Sequence, residues 1–123
     1  MKTRICFFLS LSFSISLFGQ QSAIDSLEKA LVTIREDTAR INLLNQLAKQ
    51  HNSMSDEKAM AYAQQAMDLS KKINYEKGIA GADFNIGSYY DNMSEYDRAK
   101  EHFESSLILF EKLGMKRETS KTN

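Results

Sequence analysis

The stretch Ala59-Met60-Ala61-Tyr62-Ala63-Gln64-Gln65-Ala66 decides the fold, because its pattern returns forty residues later. Three pairs of positions carry this repeat, namely Ala59 and Ala99, Ala63 and Phe103, and Ala66 and Ser106. The segments that precede the two stretches, 44–51 and 83–90, also match each other. Each unit therefore reads as helix, short turn, helix, and the chain contains the unit twice. A fixed period of this length is typical of a helical solenoid, which binds partners along its surface.

The sequence predicts an all-α fold, in which antiparallel helix–turn–helix repeats form a short right-handed α-solenoid. Proline is absent and glycine is scarce, so no alternation of strands and turns is visible. We expect five helices, starting near residues 22, 38, 55, 75 and 94. The predicted parts of the chain are a signal peptide at 1–20, an N-terminal capping helix at 21–37, a first repeat at 38–77, a second repeat at 78–114, and the start of a truncated third repeat or a tail at 115–123.

Short polar residues mark the expected helix ends. Asp37 or Thr38 can cap the second helix by accepting an orphan backbone N–H, and Ser55 and Ser94 are placed to cap the third and fifth helices. Gly114 is well placed as a left-handed residue that ends the fifth helix.

Small residues recur where the helices of each unit would cross. Helices that approach closely need small side chains at the crossing and larger ones beside it. The positions that the pattern assigns to this packing are Ala48, Ala59, Ala63, Ala66, Gly87, Tyr90, Ala99 and Phe103. An unrelated helical hairpin bundle with chance alanines remains the alternative.

These positions resemble tetratricopeptide repeats, in which small and large residues recur at set places on two antiparallel helices. The second unit matches at Ile86, Gly87, Tyr90, Ala99 and Phe103, and the first at Leu47, Ala48, His51, Ala59, Ala63 and Ala66, with a turn one residue shorter. The chain departs from the family at Asp83 and Leu44, where the family often has tryptophan, and in its period of about 40 residues rather than about 34.

In this family the first helix of each pair lines a concave groove. The resemblance therefore implies a peptide-binding groove made of Asn42, Asn45, Gln46, Lys49, Phe84, Asn85, Ser88 and Asp91, beside Gly81. Amide and lysine side chains can hydrogen-bond a bound peptide, and an exposed Phe84 would supply an apolar anchor. The alternative is that these are merely solvated helix positions.

The first twenty residues have the layout of a secretory signal peptide. Lys2 and Arg4 precede an apolar stretch at 5–18, and polar residues return at 19–22. The stretch is shorter than the roughly 20 residues that span a bilayer as a helix. We therefore expect the mature chain to be exported to the periplasm or secreted, without a membrane insertion of its own, although a retained anchor is the alternative.

Composition and charge argue against several classes of function. The chain has 16 basic and 16 acidic residues, and removal of Lys2 and Arg4 leaves a net charge of −2, which gives no electrostatic basis for binding nucleic acid. Cys6 is the one cysteine and lies in the predicted signal peptide, so the mature chain has no disulfide. His51 and His102, the two histidines, are not spaced as a metal pair, and His102 is expected on the helix surface. We predict no catalytic residue, no metal and no cofactor.

The sequence therefore predicts a non-catalytic exported scaffold that binds a protein or peptide partner. Stretched exported repeats of this type resemble the N-terminal input regions of bacterial membrane signalling proteins, so we expect the chain to be the N-terminal part of a longer signalling protein. The fifth helix carries four successive apolar residues at 107–110. The alternative is accordingly a stand-alone periplasmic structural or adaptor protein that self-associates through Leu107 and Phe110.

Overall fold

The computed structural model describes residues 19–114, in which five α-helices follow one another. The helices are α1 over residues 19–33, α2 over Asp37–Ser53, α3 over Lys58–Lys72, α4 over Glu76–Asn92 and α5 over Tyr96–Lys112. The predicted signal peptide lies almost entirely outside the described residues, and the predicted start of a third repeat at 115–123 lies wholly outside them.

The helices stack in chain order. α2 packs on α3, α3 on α4 and α4 on α5, and α2 also contacts α4. Tyr62 on α3 donates a hydrogen bond to Glu28 on α1 (3.0 Å), and Leu31 of α1 packs against the core. The prediction of an all-α fold of packed, repeated helices is confirmed, with no strand among residues 19–114. No helix in this range combines the length and the apolar character needed to cross a membrane.

A core of small and branched side chains runs between the two units. Its fully or nearly fully buried members are Ile41, Leu44, Ala48, Ala63, Ala66, Met67, Ala82 and Ile86. Ala59 and Ala99 are buried as well, and so is Gly87. Tyr90 and Phe103 are half-buried beside these small residues. The alanines at the crossings allow the helices to lie close together, so the core is thin but closely packed.

Left-handed residues at equivalent turns set the register between the two units. Ser55 (φ 53°) and Ser94 (φ 61°) are 39 positions apart, whereas Asn74 (φ 56°) and Gly114 (φ 71°) are 40 apart. The first helices of the units therefore correspond at an offset of 39, and the second helices at an offset of 40. The residue missing from the first unit lies in the turn between α2 and α3, as the sequence predicted.

The two serines expected to cap α3 and α5 instead end the helices before them. The N–H of Ser55 donates to Asn52 O (3.0 Å), and the next N–H, of Asp56, reaches back to His51 O (2.9 Å). This pattern is a Schellman motif, which needs a left-handed residue at the position of Ser55. Ser94 has the same conformation, so both cap predictions are wrong. The left-handed Gly114 is confirmed.

The prediction for the start of α2 is also wrong. Its cap position is Glu36, whose backbone is extended, while Asp37 already belongs to the helix. The Thr38 hydroxyl donates to the Glu36 carboxylate (2.7 Å) and caps no backbone N–H. At α3 the carboxylate of Asp56 accepts from the Lys58 N–H (3.1 Å).

Glycines let α4 lie close to its neighbours. A Cβ at Gly87 would come within 2.8 Å of Cδ1 of Phe103 and within 3.2 Å of the Ala99 carbonyl oxygen on α5. A Cβ at Gly78 would overlap the Ser70 hydroxyl on α3, and one at Gly81 would lie 2.8 Å from the Asn45 amide. The close approach expected at Gly87 is confirmed. On the other side of α4, Gly78 and Gly81 allow a similarly close approach to α3 and α2.

Side-chain amides also bind α2 to α4. Asn45 donates to the Gly78 carbonyl (3.2 Å), and Asn85 donates back to the Asn45 carbonyl (3.0 Å). Two turns further on, Asn52 donates to the Asn85 carbonyl and Asn92 to the Asn52 carbonyl, each at 2.9 Å. These four bonds fix the two first helices side by side, which is the arrangement that forms a groove between them.

Replacement of Gly87 by alanine is expected to destabilise the protein by ~1–3 kcal/mol, because the added methyl group overpacks the crossing with Phe103. The gain in helix propensity, up to ~1 kcal/mol, offsets part of this cost, and the net change stays destabilising because the Ala99 carbonyl at 3.2 Å is backbone. Urea unfolding measures the change. The matched control is Ser105→Ala, because Ser105 is exposed on α5 and lies away from this crossing. A Gly87→Ala variant as stable as the natural protein would show that this crossing is not close-packed.

Candidate partner-binding groove

The first helices of the two units, α2 and α4, enclose a depression of about 370 Å³. We call it the α2/α4 groove, and its lining residues are Asn45, Gln46, Lys49, Gly81, Phe84, Asn85 and Phe110. Since the asparagine bonds hold α2 and α4 in fixed register, the groove is part of the folded framework and does not depend on loops.

Five of the eight predicted groove residues line this depression, and three do not. The five are Asn45, Gln46, Lys49, Phe84 and Asn85. Asn42 accepts a hydrogen bond from the Tyr75 hydroxyl (3.2 Å), Ser88 donates to the Phe84 carbonyl (3.0 Å), and Asp91 lines a different depression on α4 and α5.

Phe110 enters the groove from α5, whereas its sequence position predicted a role in self-association. Because α5 runs antiparallel to α4, the end of α5 lies beside the beginning of α4, near Gly81. The antiparallel arrangement of α4 and α5 would have predicted that Phe110, at the end of α5, lies beside the beginning of α4 and therefore in the groove.

The groove residues differ in what they offer to a ligand. Asn85 is only 4% exposed and its amide donates to Asn45, so it supports the groove from below. Gln46 and Lys49 are exposed, and Phe84 keeps half of its surface in solvent. A ligand would therefore meet the ammonium group of Lys49, the amide of Gln46 and the exposed ring of Phe84, with the half-buried Phe110 beside them.

The ring of Phe84 is held in place from behind. Its centroid lies 5.3 Å from that of Phe103, and the two rings are tilted by 51°. Tilted aromatic pairs at this distance are favourable. Phe84 is thus a braced apolar wall, which costs little side-chain entropy when a ligand covers it.

The apolar positions expected to mediate self-association lie on the outer side of the second unit. This surface, which we call the end face, has a depression of about 410 Å³ lined by Phe84, Phe103, Ser106, Leu107 and Phe110. Leu107 is 57% exposed, whereas Phe110 is half-buried. A second depression continues the face along the beginning of α5, with Asp91, Tyr96, Ala99, Lys100 and Glu104. Phe84 and Phe110 belong to both the groove and the end face.

Each unit also contains a stacked histidine–tyrosine pair with a carboxylate beside it. The pairs are His51 with Tyr62 (centroids 5.3 Å apart) and His102 with Tyr90 (5.7 Å). His51 is buried at the position that corresponds to Tyr90 of the second unit, and its Nδ1 lies 2.9 Å from the Asp56 carboxylate. His102, expected on the helix surface, keeps about a third of its side chain exposed, and its Nδ1 lies 3.0 Å from the Asp83 carboxylate. The two pairs have similar stacking geometry, but the residue types are exchanged between the two helices of the unit. His51 corresponds to Tyr90, and Tyr62 corresponds to His102.

Two pKa values in the first unit are shifted by these contacts. The Lys58 N–H, and after it His51, lower the pKa of Asp56 below its usual range. Burial, and after it the hydrogen bond to Glu28, raises the pKa of Tyr62. Residues 19–114 hold no group of three or more His, Cys, Asp or Glu side chains arranged around a common metal position.

The described residues thus form packed, repeated helices with a groove between two of them. Over 61 residues the chain is 36% identical to response regulator aspartate phosphatase I of Bacillus subtilis (strain 168). That match takes in 50% of this chain but only 16% of the relative. No known family profile matches the chain. No solved structure matches it either.

The carboxylate of Asp56 generates a prediction for the dependence of stability on pH. Its pKa is lowered in the folded state, so its stabilising contribution is full above about pH 4, near the unfolded pKa, and is lost as pH falls through the folded value. Asp56→Asn should therefore be less stable than the natural protein at pH 7, and the difference should shrink below pH ~4. Urea unfolding across this range measures it, and a difference independent of pH would contradict the assignment.

Proposed function

We propose that this protein binds an extended or helical segment of a partner polypeptide in the α2/α4 groove. The observation that supports the proposal most strongly is the composition of the groove, in which exposed Lys49 and Gln46 face the braced ring of Phe84. Concave sites with an apolar wall and a few well-placed polar groups are the usual places where ligands bind. The 61-residue match to a response regulator aspartate phosphatase, whose name indicates that it acts on another protein, supports a role in protein interaction.

The groove chemistry favours a segment with an acidic residue near an apolar one. Lys49 is the cation of the groove, and no acidic side chain is among the seven lining residues. A carboxylate on the ligand would pair with Lys49 while an aliphatic or aromatic side chain covers Phe84. Since the asparagine amides are already engaged with backbone carbonyls, they give shape to the site more than affinity.

The proposed role is non-catalytic. The name of the Bacillus subtilis relative indicates phosphatase activity, but this chain matches only 16% of that relative. Among the described ionisable groups, Lys49 alone lines the α2/α4 groove. The described side chains thus support recognition of a partner more readily than a reaction on one.

The proposal extends to the place and context of this binding. The charged start and apolar stretch of residues 1–18 support export, and a tetratricopeptide-like unit behind a signal peptide supports a role as the input part of a signalling protein. The alternative, a stand-alone adaptor that self-associates through α5, would use the end face and Leu107 instead of the groove.

Selection of peptides from a random display library on the purified protein tests the groove. We expect enriched peptides to carry an acidic residue close to an aliphatic or aromatic one. Binding of these peptides should weaken about tenfold in Lys49→Glu, because attraction becomes repulsion, and in Phe84→Gln, because the apolar wall is lost.

The matched control for charge is Lys72→Glu, since Lys72 is exposed on α3 and does not line the groove. It should leave peptide affinity within about twofold of the natural value. Equal losses of peptide affinity in Lys49→Glu and Lys72→Glu would show that the effect comes from the net charge of the protein and not from the groove. If the selected peptides bind Lys49→Glu and Phe84→Gln as tightly as they bind the natural protein, binding in the groove is refuted.

Export has its own test, independent of binding. The whole chain fused to an alkaline phosphatase reporter, which is active only after export, should give active enzyme in a bacterial host. The secreted product should lack about the first 20 residues by intact mass, because signal peptides are removed after transport. A reporter that stays inactive, with residues 1–20 still present, would contradict the proposal.

A further inference from the structure

The end face of the second unit corresponds to the surface of the first unit that α4 covers. At the offset of 40, Leu107 corresponds to Met67 of α3. Met67 is 6% exposed and belongs to a core cluster that includes Ala82 and Ile86 of α4, whereas Leu107 is 57% exposed. The first unit thus shows how a helix docks on such a face, and the second unit can be compared with it position by position.

The amide donors that receive α4 are absent from the end face. Asn45 and Asn52 donate to carbonyls of α4, and at the offset of 39 their positions are taken by Phe84 and Asp91. One donor has become an aromatic ring and the other a carboxylate, which only accepts. A helix that docked here would find no side-chain amide from α4 at these two positions.

Two small residues of the first unit are also replaced by large ones. Phe103 stands where α3 has Ala63, and Phe110 stands where α3 has Ser70, the residue that Gly78 of α4 approaches closely. The end face therefore presents rings with depressions between them. Such a surface fits protruding side chains of leucine or methionine size better than a glycine-lined helix.

Charge adds a second, independent feature. Asp91 lies in the last turn of α4, where the helix dipole disfavours a carboxylate, and that turn contains no basic residue. Within residues 19–114 Asp91 forms no ion pair, whereas Glu104 on the same face is already close to Lys100 (3.9 Å). One end of the apolar strip thus carries a carboxylate that favours a cation from outside.

We infer that the end face binds an amphipathic, basic α-helix of a partner protein. Its apolar side would fill the depressions beside Leu107 and Phe103, and a lysine or arginine at one end would pair with Asp91. This surface is separate from the proposed groove function, because the groove favours an acidic segment at Lys49 and the end face favours a basic helix.

Two other occupants fit less well. A second copy that paired through the same face would bring a second Asp91 and no additional unpaired cation, so the charge imbalance would double. Residues 115–123 are basic overall, but Met115 is their only apolar side chain, which is too little to cover the strip.

Fluorescence anisotropy with a labelled 18-residue synthetic helix tests the inference. The peptide carries leucines along one side, alanine and glutamine elsewhere and two lysines at one end, and its control has glutamates in place of the lysines. We expect the lysine peptide to bind about tenfold more tightly than the glutamate peptide. Asp91→Asn should remove most of this preference, because the pairing carboxylate is gone.

Two variants distinguish specific binding at the end face from non-specific binding to exposed apolar side chains. Leu107→Gln should weaken the lysine peptide at least about fivefold, because it removes an apolar contact of the depression. Ile108→Gln is the matched control, since Ile108 is adjacent, 64% exposed and not a lining residue of either depression. Equal effects of the two variants would overturn the inference.

Three further outcomes would also overturn it. A loss in Lys49→Glu as large as that in Leu107→Gln would place the peptide in the α2/α4 groove. A Leu107-dependent doubling of mass in sedimentation would assign the face to a second copy. A gain of about tenfold in affinity after deletion of residues 115–123 would assign it to the chain's own segment.

Discussion

The close approach of α4 to the helices on both sides of it determines the rest of the structure. Gly78 and Gly81 face α2 and α3, and Gly87 faces α5, so side chains are missing where they would force the helices apart. Glycine weakens an isolated helix by up to ~1 kcal/mol per residue, and packing against three neighbours offsets that cost. Because α4 contacts α2, α3 and α5, it connects the two units and forms one wall of both surfaces to which we assign binding.

Much of the fold could be predicted because small residues repeat at helical spacing. Ala59 and Ala99 are both buried, and the crossing at Gly87 lies where the pattern put it. The helix starts were harder, because serine serves both as a helix cap and as a left-handed turn residue. At Ser55 the backbone completes a Schellman motif with His51 and Asn52, and the need to satisfy those carbonyls decides its role.

The groove could be predicted only in part, since one-dimensional patterns do not show which polar groups are already paired. Asn45 and Asn85 were read as ligand-binding amides, and the structure shows their amides donating to backbone carbonyls of the neighbouring first helix. Phe110 was missed as a groove residue because it belongs to a second helix. Its position follows from the antiparallel pairing of α4 and α5, which brings distant residues together.

The groove and the end face share Phe84 and Phe110 but differ in charge. Lys49 marks the groove, whereas Asp91 marks the end face. Under the two binding modes that we propose, this difference would let the protein distinguish partners by charge, since each surface would repel the charge that the other attracts. The shared rings mean that a ligand on either surface would contact the same apolar wall.

The measurement that tests the central claim most directly is a map of backbone amide chemical shifts of the isotope-labelled protein during titration with a groove-selected peptide. Binding in the groove predicts that the largest changes fall on Gln46, Lys49, Gly81 and Phe84, with α3 little affected. Changes concentrated on the outer surface of α3, around Lys71 and Lys72, with the α2/α4 groove unchanged, would contradict the account.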